Sequence, residues 1–114
     1  MNQLADYQCQ ATPRDALRLG PEQIAELLPQ VAGWATRKEG EILQLEKTFK
    51  FSNFAQAMAF ANQITSIAET NDHHPSLLVQ YGSVAVCWWS HSIGGLHLND
   101  FVLAAKTNRA FSSL

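Results

Sequence analysis

Much that would announce a function is missing from this chain of 114 residues. There are only two cysteines, Cys9 and Cys87, far apart and in unlike surroundings, with no CxxC pair. Nothing here suggests an oxidised disulfide framework. No apolar run approaches the ~18–20 residues that span a bilayer. The start carries neither the basic residues nor the apolar stretch of a signal peptide, so a cytoplasmic protein without a membrane partner is expected. The eight Lys and Arg are scattered, and the net charge is −2. A nucleic-acid binder needs a basic patch, and none is present. GxGxxG, P-loop, HxH and HExxH spacings are all absent.

What is present describes a compact fold. With 46% hydrophobic and 16% charged residues, the composition is that of one globular domain with a single core. Residues 1–19 are polar, lack sustained periodicity and contain Pro13, so a loosely attached arm is expected, followed by one domain over 20–114. Pro21 opens a helical pattern through Ile24, Leu27, Leu28 and Val31, with Pro29 set to end or kink it and Gly33 to stop it. The period then changes to two. Trp34 to Arg37 reads as a short strand and Glu39-Gly40 as a turn. Leu43, Leu45, Lys47, Phe49 and Phe51 alternate with polar residues, as in a strand with one wet face. Ser52 or Asn53 caps a helix from about Phe54 to Glu69, whose stripe is Phe54, Ala57, Met58, Ala61, Ile64, Ile67 and Ala68.

Leu77 to Tyr81 and Val84 to Ser90 form a hairpin around Gly82-Ser83. The second strand is apolar on both faces, which suits a central strand or a subunit contact. A last helix runs from about Asp100 to Phe111. The order α-β-β-α-β-β-α predicts an α+β domain, a four-stranded antiparallel sheet with helices packed on one face. No internal sequence repeat is found.

The chemistry-bearing stretch is Glu69-Thr-Asn-Asp72-His73-His74-Pro75, followed by Ser90-His91-Ser92. Three of the four histidines lie within nineteen positions, all at element ends. Histidine exchanges protons near neutrality, and loops on a rigid scaffold favour catalytic residues. Two readings are open: proton transfer between histidines acting as general acid and base, and a three-histidine zinc site with an open position. Adjacent histidines are awkward joint ligands, which favours proton transfer. Asp100 is either a favourable first-turn charge or the residue that orients a histidine. Gly94-Gly95 suits a tight turn, Cys87 packing, and Trp34 either the core or one wall for a flat aromatic ligand.

The pattern Glu69-x3-His73-His74-Pro75-x5-Tyr81-x9-His91-x8-Asp100 resembles the signature of the pterin-4a-carbinolamine dehydratases. The resemblance extends through Gly33-Trp34, the Leu45-x-Lys47-x-Phe49-x-Phe51-x2-Phe54 stretch, Gly94-Gly95-Leu96 and Leu103-Ala104. Cys9 and Asp15-Ala16 resemble the arm of bacterial members. The resemblance implies loss of water from 4a-hydroxytetrahydropterin to give quinonoid dihydropterin, recycling the cofactor of an aromatic amino-acid hydroxylase. It implies that His73, His74 and His91 surround the reacting edge of the pterin. Asp72, Pro75, Ser90 and the Trp89 to Ser92 backbone would hold the ring, and Glu69 and Asp100 would support the site. No metal or organic cofactor is implied; the partners implied are the pterin and further copies of the chain, as a homodimer or homotetramer. Animal members also serve as dimerisation partners of a transcription factor, so a non-catalytic pterin-binding or interaction protein is the competing class. Two positions depart from the family pattern. Many members have Ser or Thr where His97 stands, so the helix cap is expected to pass to Asn99. Many also have a charged residue in place of Asn99.

Overall fold

The period-two segments form the predicted sheet, and the helices cover one face of it. The computed structural model describes residues 3–9 and 11–114. Its elements are α1 (Pro21–Leu27), β1 (Ala35–Glu39), β2 (Ile42–Lys50), α2 (Phe54–Asn71), β3 (Ser76–Gln80), β4 (Ser83–Trp88) and α3 (Leu98–Ser112). The four strands are antiparallel in the order β1-β2-β4-β3, which puts the doubly apolar strand β4 in the interior of the sheet.

Register decides which face is dry. Leu45 pairs with Trp88 and Phe49 with Val84, while Leu77 and Val79 on the other side pair with Val86 and Val84. These side chains face α2 and α3, and Leu45, Val84, Val86 and Trp88 are fully buried. Trp88 can lie there because its indole N–H donates to Thr107 Oγ1 at 3.1 Å, and that hydroxyl donates to the Leu103 carbonyl at 2.7 Å. Phe49, Phe51, Phe60 and Phe111 form one aromatic cluster with ring centroids 4.9–5.7 Å apart.

Several element bounds differ from the sequence expectation, each for a local reason. Helix α1 stops at Leu27 and Pro29 lies in a short 3₁₀ turn, Leu28–Gln30, where its missing N–H is harmless. Strand β1 begins after Trp34, and its turn is Gly40-Glu41, with Gly40 at φ +61°. The β3–β4 hairpin turns on Tyr81-Gly82, one residue earlier than expected, because Gln80 pairs with Ser83. Asn53 caps α2 by accepting from Gln56 N at 2.8 Å, and the helix runs two residues past Glu69. Phe54 and Met58, placed in its apolar stripe, are 48% and 38% exposed, and Phe60 fills the core instead.

Gly33, Trp34 and Lys47 form a structural bracket. Trp34 Nε1 and Lys47 Nζ both donate to Asn108 Oδ1 at 2.9 Å, and Lys47 Nζ also donates to the Ala32 carbonyl. Gly33 has φ +84°, and a Cβ there would lie 2.8 Å from the Lys47 chain. Burial holds the Lys47 ammonium below its ordinary pKa.

The segment expected to hang loosely lies along the domain. Leu4, Ala5 and Cys9 are buried, Lys106 donates to the Ala5 carbonyl at 2.9 Å, and Arg109 pairs with Asp6 at 2.8 Å. Cys9 N donates to Asn71 Oδ1 at 3.3 Å and Leu19 N to the Leu96 carbonyl at 2.9 Å. Polar composition hid these anchors because three of the four bonded arm groups are backbone groups, and all four meet partners distant in sequence. Among the described residues no helix is long and apolar enough to cross a membrane.

Candidate active site

The end of α2 aims the first two histidines. The Asp72 amide donates to Glu69 O at 3.4 Å and the His73 amide to Ala68 O at 3.1 Å, a Schellman-type ending with Asp72 in the left-handed region at φ 49°. That reversal sends His73 inward and leaves His74 at the surface. The third histidine comes from the end of β4. Ser90 N donates to Gly95 O at 2.9 Å, and Gly94 at φ +61° closes the tight turn that presents His91 and Ser92.

Each imidazole is held through Nε2. His73 Nε2 donates to Asp100 Oδ1 at 2.7 Å, His74 Nε2 to Glu69 Oε2, and His91 Nε2 to the His74 carbonyl at 3.0 Å. An ionised carboxylate and a carbonyl only accept, so Nε2 carries the proton in all three rings. Nδ1 of each is then the nitrogen left for chemistry, and it has no protein partner among the described residues. Trp89 stacks on His91 with centroids 4.3 Å apart, and Trp88 lies 5.9 Å from the His73 ring.

Asp100 is the buried anchor. Its side chain is 0% exposed, and Oδ2 accepts from Ser90 Oγ at 2.8 Å and from His97 N at 2.9 Å. Ser90 bonds the carboxylate and not the imidazole, so the trio is not a serine-nucleophile triad. The expected transfer of the helix cap to Asn99 does not occur. His97 itself caps α3, its Nδ1 accepting from Asn99 N at 3.1 Å, and Asp100 completes the capping box from the third helical position.

A cleft of about 210 Å³ is lined by Asp72, His73, His74, His91 and Ser92 together with Ala11 and Thr12. The first five were expected from the sequence; Ala11 and Thr12 were not, and nothing in their local pattern signals them. Ser90 and Asp100 lie buried behind this wall, Glu69 backs His74 from the surface, and half-buried Pro75 follows His74. Trp34 does not line the cleft: it packs edge-on against Phe49 at 6.0 Å. Tyr81 is 71% exposed at the hairpin tip. Among the described residues, no three His, Cys, Asp or Glu side chains are grouped so as to hold a metal ion.

Known proteins similar to this chain identify its family. A protein of Nitrosococcus oceani named "Putative pterin-4-alpha-carbinolamine dehydratase" is 47% identical over 109 residues, covering 96% of each chain. A crystal structure of a transcriptional coactivator/pterin dehydratase from Brucella melitensis superposes with a TM-score of 0.75 at 32% identity, covering 82% of this chain and 98% of that one. Residues 17–110 match the profile of the family described as Pterin 4 alpha carbinolamine dehydratase, a span that holds both histidine segments and Asp100, and the chain belongs to that family.

Proposed function

We propose that the protein is a hydro-lyase that removes water from a 4a-hydroxytetrahydropterin by histidine acid–base catalysis, and so returns the pterin cofactor of an aromatic amino-acid hydroxylase to use. Family membership supports the dehydratase activity. The observation that carries the mechanism is the set of three imidazoles around one small cleft, each anchored through Nε2 with Nδ1 left over.

The reaction needs two proton movements. The C4a–O bond breaks as an acid protonates the departing hydroxyl, giving water. A base takes the N5 proton, and the N–H electron pair becomes the second bond of the C4a=N5 imine. A neutral ring offers a lone pair at Nδ1 and a protonated ring offers an acid there, so imidazoles at one cleft supply both partners near pH 7. Asp72 and Ser92, also lining the cleft, are assigned to holding the pterin. The zinc alternative is weak, because adjacent histidines are awkward joint ligands and, among the described residues, no three His, Cys, Asp or Glu side chains are grouped so as to hold a metal ion.

Purified protein is expected to accelerate decay of 4a-hydroxytetrahydropterin, followed by ultraviolet absorbance above the spontaneous rate, and to do so after exhaustive chelation. Absence of acceleration would transfer the reading to a pterin-binding or interaction protein; the Brucella structure is described as a transcriptional coactivator as well as a pterin dehydratase. We further infer a homodimer or homotetramer. Strands β1 and β3 are sheet edges, and Leu78 on β3 is 59% exposed. A cytoplasmic setting is proposed from the two free, buried thiols of Cys9 and Cys87.

A further inference from the structure

The arm contributes a wall to the histidine cleft, and its chemistry reaches further than that wall. Thr12 is tied at three points. Its Oγ1 accepts from Asn99 Nδ2 at 3.1 Å and lies 3.4 Å from Ser90 Oγ, and its carbonyl accepts from Ser92 Oγ at 3.2 Å. Counting protons fixes the direction of the chain. The single Ser90 hydroxyl proton goes to Asp100 Oδ2 at 2.8 Å, so Ser90 Oγ can only accept from Thr12. Thr12 Oγ1 already accepts from Asn99, so its own proton points toward Ser90. The result is a one-way series in which Asn99 donates to Thr12, Thr12 to Ser90 and Ser90 to the Asp100 carboxylate. The other carboxylate oxygen receives the His73 N–H at 2.7 Å.

We propose that Thr12 is a positioning residue for His73, acting through Ser90 and Asp100. This rests on the dehydratase reading given above. Ser90 and Asp100 are both 0% exposed, so no solvent can replace a lost donor. Hydrogen bonds in series polarise one another, and a fully satisfied buried network fixes one geometry. Removing the Thr12 hydroxyl takes away the donor that polarises the Ser90 hydroxyl, so the Ser90 bond to Asp100 weakens. The carboxylate is then held less firmly square to the His73 ring. The loss falls on the orientation of His73 Nδ1, and therefore on turnover more than on binding.

The test compares T12V, which keeps the shape and removes the hydroxyl, with T12S, which keeps the hydroxyl, in the full chain. For T12V, kcat is expected to fall roughly 3–10-fold, the scale of one net hydrogen bond, with KM changing less than twofold. T12S should recover kcat to within about twofold. A readout independent of substrate is the His73 Nε2–H proton resonance, expected to shift and to exchange faster in T12V but not in T12S. Unchanged kcat and resonance in T12V overturn the proposal, even if T12V is less stable. Equal impairment of T12V and T12S also overturns it, because the hydroxyl is then not the agent. A wild-type protein that fails to dehydrate the pterin, yet shows the Thr12-dependent resonance, removes the dehydratase reading and supports the positioning chain.

Discussion

Replacing Asp100 by Asn tests the candidate site with little change in shape. The carboxylate accepts three hydrogen bonds: from His73 at 2.7 Å on one oxygen, and from Ser90 at 2.8 Å and the His97 amide at 2.9 Å on the other. An amide has one oxygen to offer. Facing it toward Ser90 and His97 keeps two bonds and turns the NH₂ group toward His73 Nε2–H, donor against donor. His73 relieves that clash only by moving its proton to Nδ1, which turns the nitrogen left for chemistry from acceptor to donor. A bond to a charged group contributes about 1.5–3 kcal/mol and a neutral one about 0.5–1.5 kcal/mol, so three weakened bonds set an upper loss of ~3–4.5 kcal/mol. Relief from burying a charge offsets part of this, leaving an expected destabilisation of roughly 1–3 kcal/mol. For a domain of this size that is a fall in Tm of about 4–12 °C, measurable by circular dichroism. Turnover should fall at least ~100-fold, the lower scale for losing a general acid or base, until the spontaneous reaction sets the floor. A variant that is folded at the assay temperature and keeps kcat within threefold would show that Asp100 only caps α3.

Four further outcomes follow from the same geometry. His73→Ala and His91→Ala should each lower kcat by roughly 10–10³-fold with a smaller change in KM, and His74→Ala should be milder; unchanged kcat with a large rise in KM would make these rings binders of the pterin. Asp72→Gly relieves a left-handed residue and should raise stability by about 0.5–1 kcal/mol in denaturant titration, with KM rising if the carboxylate holds the pterin. Burial pushes the Cys9 thiol from 9.0 up to about 11. A raised folded pKa gives stability that is complete below 9.0 and is lost as pH rises toward 11, so native Cys9 should resist a disulfide reagent at pH 8 and react once urea unfolds the chain. Light scattering at micromolar concentration should return at least a dimeric mass, and a monomeric mass would remove the proposed assembly.

The sheet and helices were legible because apolar residues repeat at two positions along β2 and at 3.6 along α2. Some errors arose where a residue serves a neighbour distant in sequence, and others from a local setting that spacing does not show. Gly82 is in the hairpin because a Cβ there would approach the Phe51 carbonyl to 3.0 Å, a contact invisible in the local Tyr81-Gly82-Ser83 pattern. Phe54 satisfies helical spacing, but in the first turn of α2 it falls outside the core. His97 caps α3 with a ring nitrogen, a role that cap statistics give to Ser, Thr, Asn and Asp. The three histidines stood out by residue type and by position at element ends. Thr12 carried no such mark, since its partners Ser90 and Asn99 lie 78 and 87 positions away.

Those separations set an order of assembly. The hairpins and α2 join segments close in sequence and are expected to form early, whereas the Ala5–Lys106 and Asp6–Arg109 contacts span 101 and 103 positions. During synthesis the arm emerges long before α3 exists to receive it, and it remains solvated until that helix has packed. The first-made wall of the cleft is therefore among the last to be fitted. A nascent chain can bring its histidines together on the sheet while the pocket still stands open on one side.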